Sequence, residues 1–434
     1  MKVAFYTLGC KVNQYETEAM QKLFGAAGYE ISSEIETADV VIVNTCTVTS
    51  LSSQKSRQMI RRAARANEDA VLVVVGCYAQ NQPEEISKIE GVDIIIGTAE
   101  RTKIVELVAQ VLKNRSEKIL TVGNVENISE FEELPHAPHR TRAFLKIEDG
   151  CNNFCSYCII PFVRGRVRSR SLESIRAECL QLKNSGYKEI VLTGIHIGAY
   201  GKDFKDGTNL VDAVKTVLET ANPARLRLGS LESAEMTDEL INLMKNDSRI
   251  CNHVHLPLQS GSDEILKLMH RPYTTKNFSD LTARLVAEIP NISIGTDLIV
   301  GFPNETEELF EKTIEFIKSQ PFSKIHVFPF SLREGTVAAG MKNQIDAQTK
   351  KIRAGRALEI SAEKEKQFAE KLIGQTVEII AETEENGLID GLTKNYVRAY
   401  IPANENIKLG EFVIVKVEKI FRNGVIGDYK ILCE

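Results

Sequence analysis

Tryptophan is absent from this chain, and aromatic residues of every kind make up 6% of its 434 residues. Long apolar runs are absent as well. Residues 40–43 and 71–75 are among the longest, strand-sized and far short of the roughly 20 residues that cross a bilayer, so no membrane association is expected. The opening, M-K-V-A-F-Y-T-L-G-C, carries a lysine and an apolar run but no small-residue cleavage site, and it reads as a first β-strand. That predicts a cytoplasmic protein. Neither an internal repeat nor a low-complexity tract is present, which argues against repeat architectures. Positive charge is not in excess: the formal net charge is −5, which argues against generic attraction to nucleic acid and leaves room only for local basic patches.

What is present is ordinary globular material, 43% hydrophobic and 26% charged, with length enough for two or three domains. Over residues 1–134, apolar runs at 3–8, 40–43, 71–75 and 92–96 alternate with helix-like segments at 16–28 and 54–67, the pattern of βα units around a parallel sheet. The acidic, proline-containing stretch 126–140 reads as a linker. A second β/α alternation fills residues 135–345, with strands expected at 143–147, 190–193, 225–228, 253–256, 293–299 and 325–328. About six evenly spaced strands predict a partial TIM-like (β/α)6 barrel whose chemistry sits at the strand C-terminal ends. Residues 346–373 read as one long charged helix, and 374–434 as a small antiparallel β-barrel with turns at 385–387 and 423–424. The fold class is therefore α/β with an appended β-barrel.

Nine cysteines are present, and in a reducing compartment they favour free, catalytic or metal-bound states over disulfides. In D-G-C-N-N-F-C-S-Y-C-I-I-P, Cys151, Cys155 and Cys158 follow the spacing C-x3-C-x2-C. Zinc needs a fourth ligand, and none follows at finger spacing; His136 and His139 lie upstream across a strand. A [4Fe–4S] cluster on three thiolates explains the odd number better, because one iron stays open. A second set is dispersed. Cys10, Cys46 and Cys77 each end a strand-like run, and the carboxyl ends of parallel strands share one edge, so the three thiols can converge on a second centre. Buried free thiols are the plainer alternative. Cys179, Cys251 and Cys433 show no such pattern and read as structural.

Together these residues resemble the radical S-adenosylmethionine methylthiotransferase family. C-x3-C-x2-C with Tyr157 before its last cysteine is similar to the family's radical cluster motif; T-L-G-C-K-V-N, N-T-C-T-V-T and V-V-G-C-Y-A-Q resemble its N-terminal cluster motifs. L-P-L-Q-S-G-S and G-T-D-L-I-V-G-F-P-N-E-T match further, and the C-terminal barrel resembles the TRAM domain, an RNA-binding module. One departure is Val167, where many members carry an acidic residue. The resemblance implies two [4Fe–4S] clusters and S-adenosylmethionine. The cluster on Cys151, Cys155 and Cys158 would bind that cofactor through its open iron and cleave it to a 5′-deoxyadenosyl radical. The cluster on Cys10, Cys46 and Cys77 would carry the sulfur, methylated by a second S-adenosylmethionine. An electron donor such as flavodoxin or ferredoxin is implied, and tRNA as the partner. L-T-G-I-H-I-G-A-Y-G, with Ile195, His196 and Ile197, looks most like members acting on N6-threonylcarbamoyladenosine beside the anticodon. Isopentenyladenosine and a ribosomal protein side chain are the other substrates weighed, and a zinc-containing RNA-binding protein is the reading without catalysis.

Further candidates follow strands of the expected barrel. Gly194 would let the backbone approach the cofactor, and Glu232, Gln259 and Asp297 would meet its ammonium or hydroxyls, although turns and helix caps explain the same residue types. His196, His253 and His255 read as packed or hydrogen-bonded groups. Two basic stretches bear on RNA. Residues 51–65 carry five positive and no negative side chains, among them Arg61, Arg62 and Arg65, and residues 160–170 carry four arginines, among them Arg164 and Arg166. The C-terminal segment is acidic, so its role in binding unpaired bases, through Tyr396 and Arg398, rests on the resemblance.

Overall fold

The computed structural model describes residues 1–115, 118–135 and 141–431. His136, His139, Cys433 and the end of the expected linker lie outside the described residues. The N-terminal part is a six-stranded, all-parallel sheet in the order Glu30–Ser32, Lys2–Thr7, Val40–Thr45, Val71–Gly76, Ile94–Ile96 and Ile119–Thr121. Both faces are covered, which is why the two central strands are apolar almost throughout instead of alternating. Val41, Val43, Leu72 and Val74 pack beneath Met59 and Ile60 of the helix Ser50–Ala66. Val40, Ile42, Val71 and Val73 pack on the opposite side against Met20 and Phe24 of Lys11–Ala26 and Val108 of Ile104–Lys113. The outermost strands have three residues each and leave no periodic trace in the sequence.

The central part is a parallel half-barrel of six strands: Ala143–Lys146, Glu189–Thr193, Arg225–Arg227, His253–His255, Ser293–Val300 and Lys324–Pro329. Single parallel bridges at Leu226–Ile250 and Ser230–His255 join its two three-stranded halves. Strand alternation sorts the side chains. Leu145, Leu192, Leu226, Val254 and Ile294 point outward into the helical layer, and the inner face carries Lys146, Glu189, Arg225, Arg227, His253, His255, Asp297 and His326. The inner face is filled on one side by the helix Lys11–Ala26 of the N-terminal part: Tyr15 packs on Phe144 and Val191, and Glu16 meets Lys146 Nζ at 3.1 Å.

The helix Ala347–Glu370, capped by Asp346, runs from the half-barrel to a curled C-terminal sheet. Its six strands lie in the order Thr376–Ile380, Phe412–Phe421, Gly424–Ile431, Arg398–Pro402, Leu388–Leu392 and Thr383–Glu385. Here the structure departs from the expected all-antiparallel barrel, because Arg398–Pro402 pairs in parallel with Gly424–Ile431. The chain crosses over through Phe412–Phe421 before returning, and a crossover is what a parallel pair requires. The sheet is held to the half-barrel by buried arginines. Arg225 bonds Glu378 Oε1 at 2.8 Å, and Arg227 donates to the carbonyls of Thr393 and Lys394. No helix among the described residues is long and apolar enough to cross a membrane.

Candidate metal centres and substrate cavity

Lys2–Thr7, Val40–Thr45 and Val71–Gly76 are adjacent in the sheet, with Thr7 opposite Asn44 and Thr45 opposite Gly76. Cys10, Cys46 and Cys77 therefore leave the same edge. Gly9, at φ +115°, sits so close to its neighbour that an added Cβ would lie 3.1 Å from Cys46 Cβ. Cys46 and Cys77 are buried. Cys10 is exposed, yet protein crowds it closely enough to raise its thiol above the ordinary value, against the pull of Arg164. Burial likewise raises Cys77, again opposed by Arg164.

The second set lies on the loop after Ala143–Lys146 and the short strand Glu148–Asp149. Gly150, at φ +89°, brings the loop onto the Arg-rich segment; a Cβ there would sit 2.0 Å from the carbonyl oxygen of Arg166. Cys151 N donates to Gly165 O at 3.0 Å, and Ser156 is held by Met269 O at 3.1 Å and by Ala338 N at 2.7 Å. Cys151 Sγ is 3.6 Å from His196 Nδ1, and Arg271 Nη1 is 3.3 Å from Cys155 Sγ. Burial pushes Cys151 and Cys158 up to about 12, so a thiolate there requires a cationic partner.

All six cysteines are free. Three free thiols in each set are the donor type that an iron–sulfur cluster takes.

The two sets are connected. The helix Ile160–Arg164 starts two residues after Cys158, and Ile159 and Val163 pack on Cys77. Its last residue, Arg164, is fully buried and places Nε 3.2 Å from Cys77 Sγ. The same guanidinium bonds Glu16 Oε1 at 2.5 Å, Asn13 Oδ1 at 3.0 Å and Asp149 Oδ2 at 3.2 Å. Lys146 and Arg101 complete the group around Glu16. Burial alone would raise the Glu16 carboxyl, but Arg101, Arg164 and Lys146 pull it down to about 2.

Arg164 therefore offers no surface to RNA, contrary to expectation. Arg168 and Arg170 of the same stretch are also buried; Arg170 pairs with Glu178, and Arg168 donates to the Arg164 carbonyl. Arg166 is exposed and stacks over Phe154 at 4.9 Å. Arg61, Arg62 and Arg65 are exposed on the outer face of Ser50–Ala66. Arg398 is engaged by Asp390 and Glu382. Tyr396 stacks on His253 at 4.4 Å and lines a cavity of the half-barrel.

The structure gathers several other candidates near the second cysteine set. Arg271 ion-pairs with Glu232 while touching Cys155, and Tyr273 Oη lies 3.0 Å from its Nε. The Tyr157 ring packs with Ile265, Met269, Phe302 and Phe330 and so anchors the loop. A Cβ on Gly194 would meet Glu148 Oε2 at 2.8 Å, which accounts for the glycine without a turn. Gln259 is left-handed, φ +67°, and its backbone bridges Asp297 O and Ile299 N at 2.8 and 2.9 Å, extending strand pairing past His255. Asp297 instead faces the cavity, where His255 Nε2 is 3.1 Å from Oδ2.

That cavity, about 680 Å³, occupies the part of the half-barrel that the helix Lys11–Ala26 leaves open. Its wall runs from Lys11, the residue after Cys10, past Ser230, two residues before Glu232, to Tyr396 and Arg422 of the C-terminal sheet. Arg271, Glu16 and Lys11 were not anticipated. Arg271 lies far in sequence from Cys155, Glu16 reaches Cys77 only through the distant Arg164, and a lysine after a cysteine carries no signal of its own.

A half-barrel with three thiols on the loop after its first strand is the site of a radical S-adenosylmethionine enzyme, and the pattern of the Radical SAM superfamily matches residues 145–317. Residues 2–97 match the Uncharacterized protein family UPF0004. In fold the chain is similar to a radical S-adenosylmethionine methyltransferase of Kitasatospora setae solved with cobalamin and a [4Fe–4S] cluster, with TM-score 0.58 and 15% identity over 90% of this chain and 80% of that one. In sequence it is 46% identical to the threonylcarbamoyladenosine tRNA methylthiotransferase of Bacillus subtilis, over 96% of this chain and 94% of that protein. It is 38% identical to the tRNA-2-methylthio-N(6)-dimethylallyladenosine synthase of Moorella thermoacetica, over 87% and 86%. The chain belongs to the radical S-adenosylmethionine methylthiotransferase family, whose members are enzymes that use S-adenosylmethionine and an iron–sulfur cluster.

Proposed function

We propose that this enzyme methylthiolates N6-threonylcarbamoyladenosine beside the anticodon of tRNA, at C2 of the adenine. It does so with two [4Fe–4S] clusters, one on Cys151, Cys155 and Cys158 and one on Cys10, Cys46 and Cys77. The observation that carries the reading is a nucleoside-sized cavity in the half-barrel whose wall includes Lys11, the residue after Cys10, and Ser230, two residues before the Glu232 that Arg271 holds. The name of the Bacillus relative supports the choice of substrate. So does the presence in the cavity wall of Lys11, Ser230 and His255, which offer partners for a carboxylate and a hydroxyl.

When bound, the first cluster supplies the electron that cleaves S-adenosylmethionine reductively; flavodoxin or ferredoxin is the expected donor of that electron. The chain's residues supply position. Arg271 orients Cys155 and Glu232 together, Tyr157 fixes the loop, and Glu232, Gln259, Asp297 and the Gly194 backbone hold the cofactor. Arg164 holds Cys77 in register with the loop that carries the first set.

The exposed arginines Arg61, Arg62, Arg65 and Arg166 are assigned to tRNA. Replacing Arg61, Arg62 and Arg65 by Gln is expected to weaken tRNA binding and flatten its log–log salt dependence by up to about three units. Filter binding across a salt series measures this. An unchanged slope returns these side chains to an ordinary solvated face.

The substrate is tested by incubating the reduced enzyme with tRNAs bearing each modification and analysing the nucleosides by mass spectrometry. The methylthio product is expected on N6-threonylcarbamoyladenosine. Product on isopentenyladenosine alone, or on a ribosomal protein alone, would overturn the assignment.

A further inference from the structure

The cavity wall carries four fixed cations, and three of them are occupied or peripheral. Lys324 Nζ is 3.0 Å from Glu365 and Lys366 is 3.9 Å from Glu370. Arg422 is exposed at the rim, lying over the Tyr400 and Phe421 rings. Lys11 differs. Among the described residues no carboxylate pairs with its ammonium; the Tyr396 phenol and then Glu189 favour its charge, and Glu189 is already taken by Arg227 at 2.8 Å and Arg225 at 3.6 Å. A half-buried ammonium on the cavity wall with no carboxylate partner is available to pair with an anionic ligand.

His253 packs beside this corner, its ring stacked on Tyr396 at 4.4 Å and its Nδ1 sealed from the cavity, so Lys11 is the group there that an anionic ligand arm can reach.

We propose that Lys11 forms the subsite for the threonyl arm of the substrate nucleoside, pairing with its carboxylate. This inference rests on the substrate reading above and adds the residue that selects for it.

The test compares two substrates on the reconstituted enzyme: tRNA bearing N6-threonylcarbamoyladenosine, and the same tRNA with that carboxylate converted to a methylamide. Wild-type kcat/KM is expected to fall by about 10- to 100-fold on the methylamide, the size of one charge-assisted bond. Lys11→Gln should lose a similar factor on the natural tRNA and little more on the methylamide, while Lys11→Arg keeps most of the preference. Equilibrium tRNA binding makes the same comparison for a variant that does not turn over. A Lys11→Gln enzyme that is impaired on both tRNAs yet keeps the wild-type preference overturns the inference. A wild-type enzyme inert on N6-threonylcarbamoyladenosine overturns the substrate reading, and this subsite with it.

Discussion

Cys155→Ala is expected to reduce S-adenosylmethionine cleavage to background, whereas Cys46→Ala leaves cleavage to 5′-deoxyadenosine largely intact and stops sulfur insertion. The separation follows from where the thiols sit. Cys155 lies on the half-barrel loop, touched by the same Arg271 that grips Glu232, so its loss removes a ligand from the centre that must keep an open iron. Cys46 belongs to the N-terminal sheet edge, where its backbone is pinned by Ser56 at 3.0 and 3.2 Å. Removing its sulfur leaves that anchoring in place. Chromatography of 5′-deoxyadenosine from anaerobically reconstituted variants, with and without tRNA, reads both effects. Complete loss of cleavage in a folded Cys46→Ala protein would contradict the separate roles.

The second large effect is expected at Arg164. Arg164→Met removes the guanidinium that is shared by Glu16, Asp149, Asn13 and Cys77, leaving buried carboxylates short of counter-charge. Breaking a buried pair on one side costs about 3–5 kcal/mol, and denaturant unfolding at neutral pH should show a loss of that size. The acid limb should move too. The Glu16 carboxyl is depressed from the ordinary 4.5 to about 2. Its contribution to stability is therefore fully present above about pH 4.5 and is lost as pH falls toward 2. Without Arg164 the folded value rises, so acid destabilisation should begin at higher pH than in the parent. An unfolding curve and acid limb matching the parent's would show that the network does not hold this junction.

The long strands were legible because burial on both sides forces continuous apolar runs, as in Val40–Thr45 and Val71–Gly76. The helix Ala347–Glu370 was legible because nothing in 346–373 breaks it. Three-residue edge strands and the parallel pair in the C-terminal sheet were not, since both depend on pairing partners distant in sequence. The cysteine sets could be read from spacing and from their place after strands. The arginines after Cys158 could not. Composition gives charge without saying which side of the surface it lies on, and the carboxylates that draw Arg164 inward include Glu16, 148 residues away. Arg271 reaches Cys155 across 116 residues, a relation that only the closed half-barrel creates. Lys11 stood in plain view in T-L-G-C-K-V-N, but its lack of a partner appears only once the cavity is built around it.

The central claim is that two cysteine sets hold two iron–sulfur clusters, and it is tested most directly by iron and acid-labile sulfide analysis of the anaerobically purified chain. The account predicts about eight irons and eight sulfides per chain, two cubane clusters, falling by about half in Cys46→Ala. Stoichiometric zinc without sulfide would contradict it.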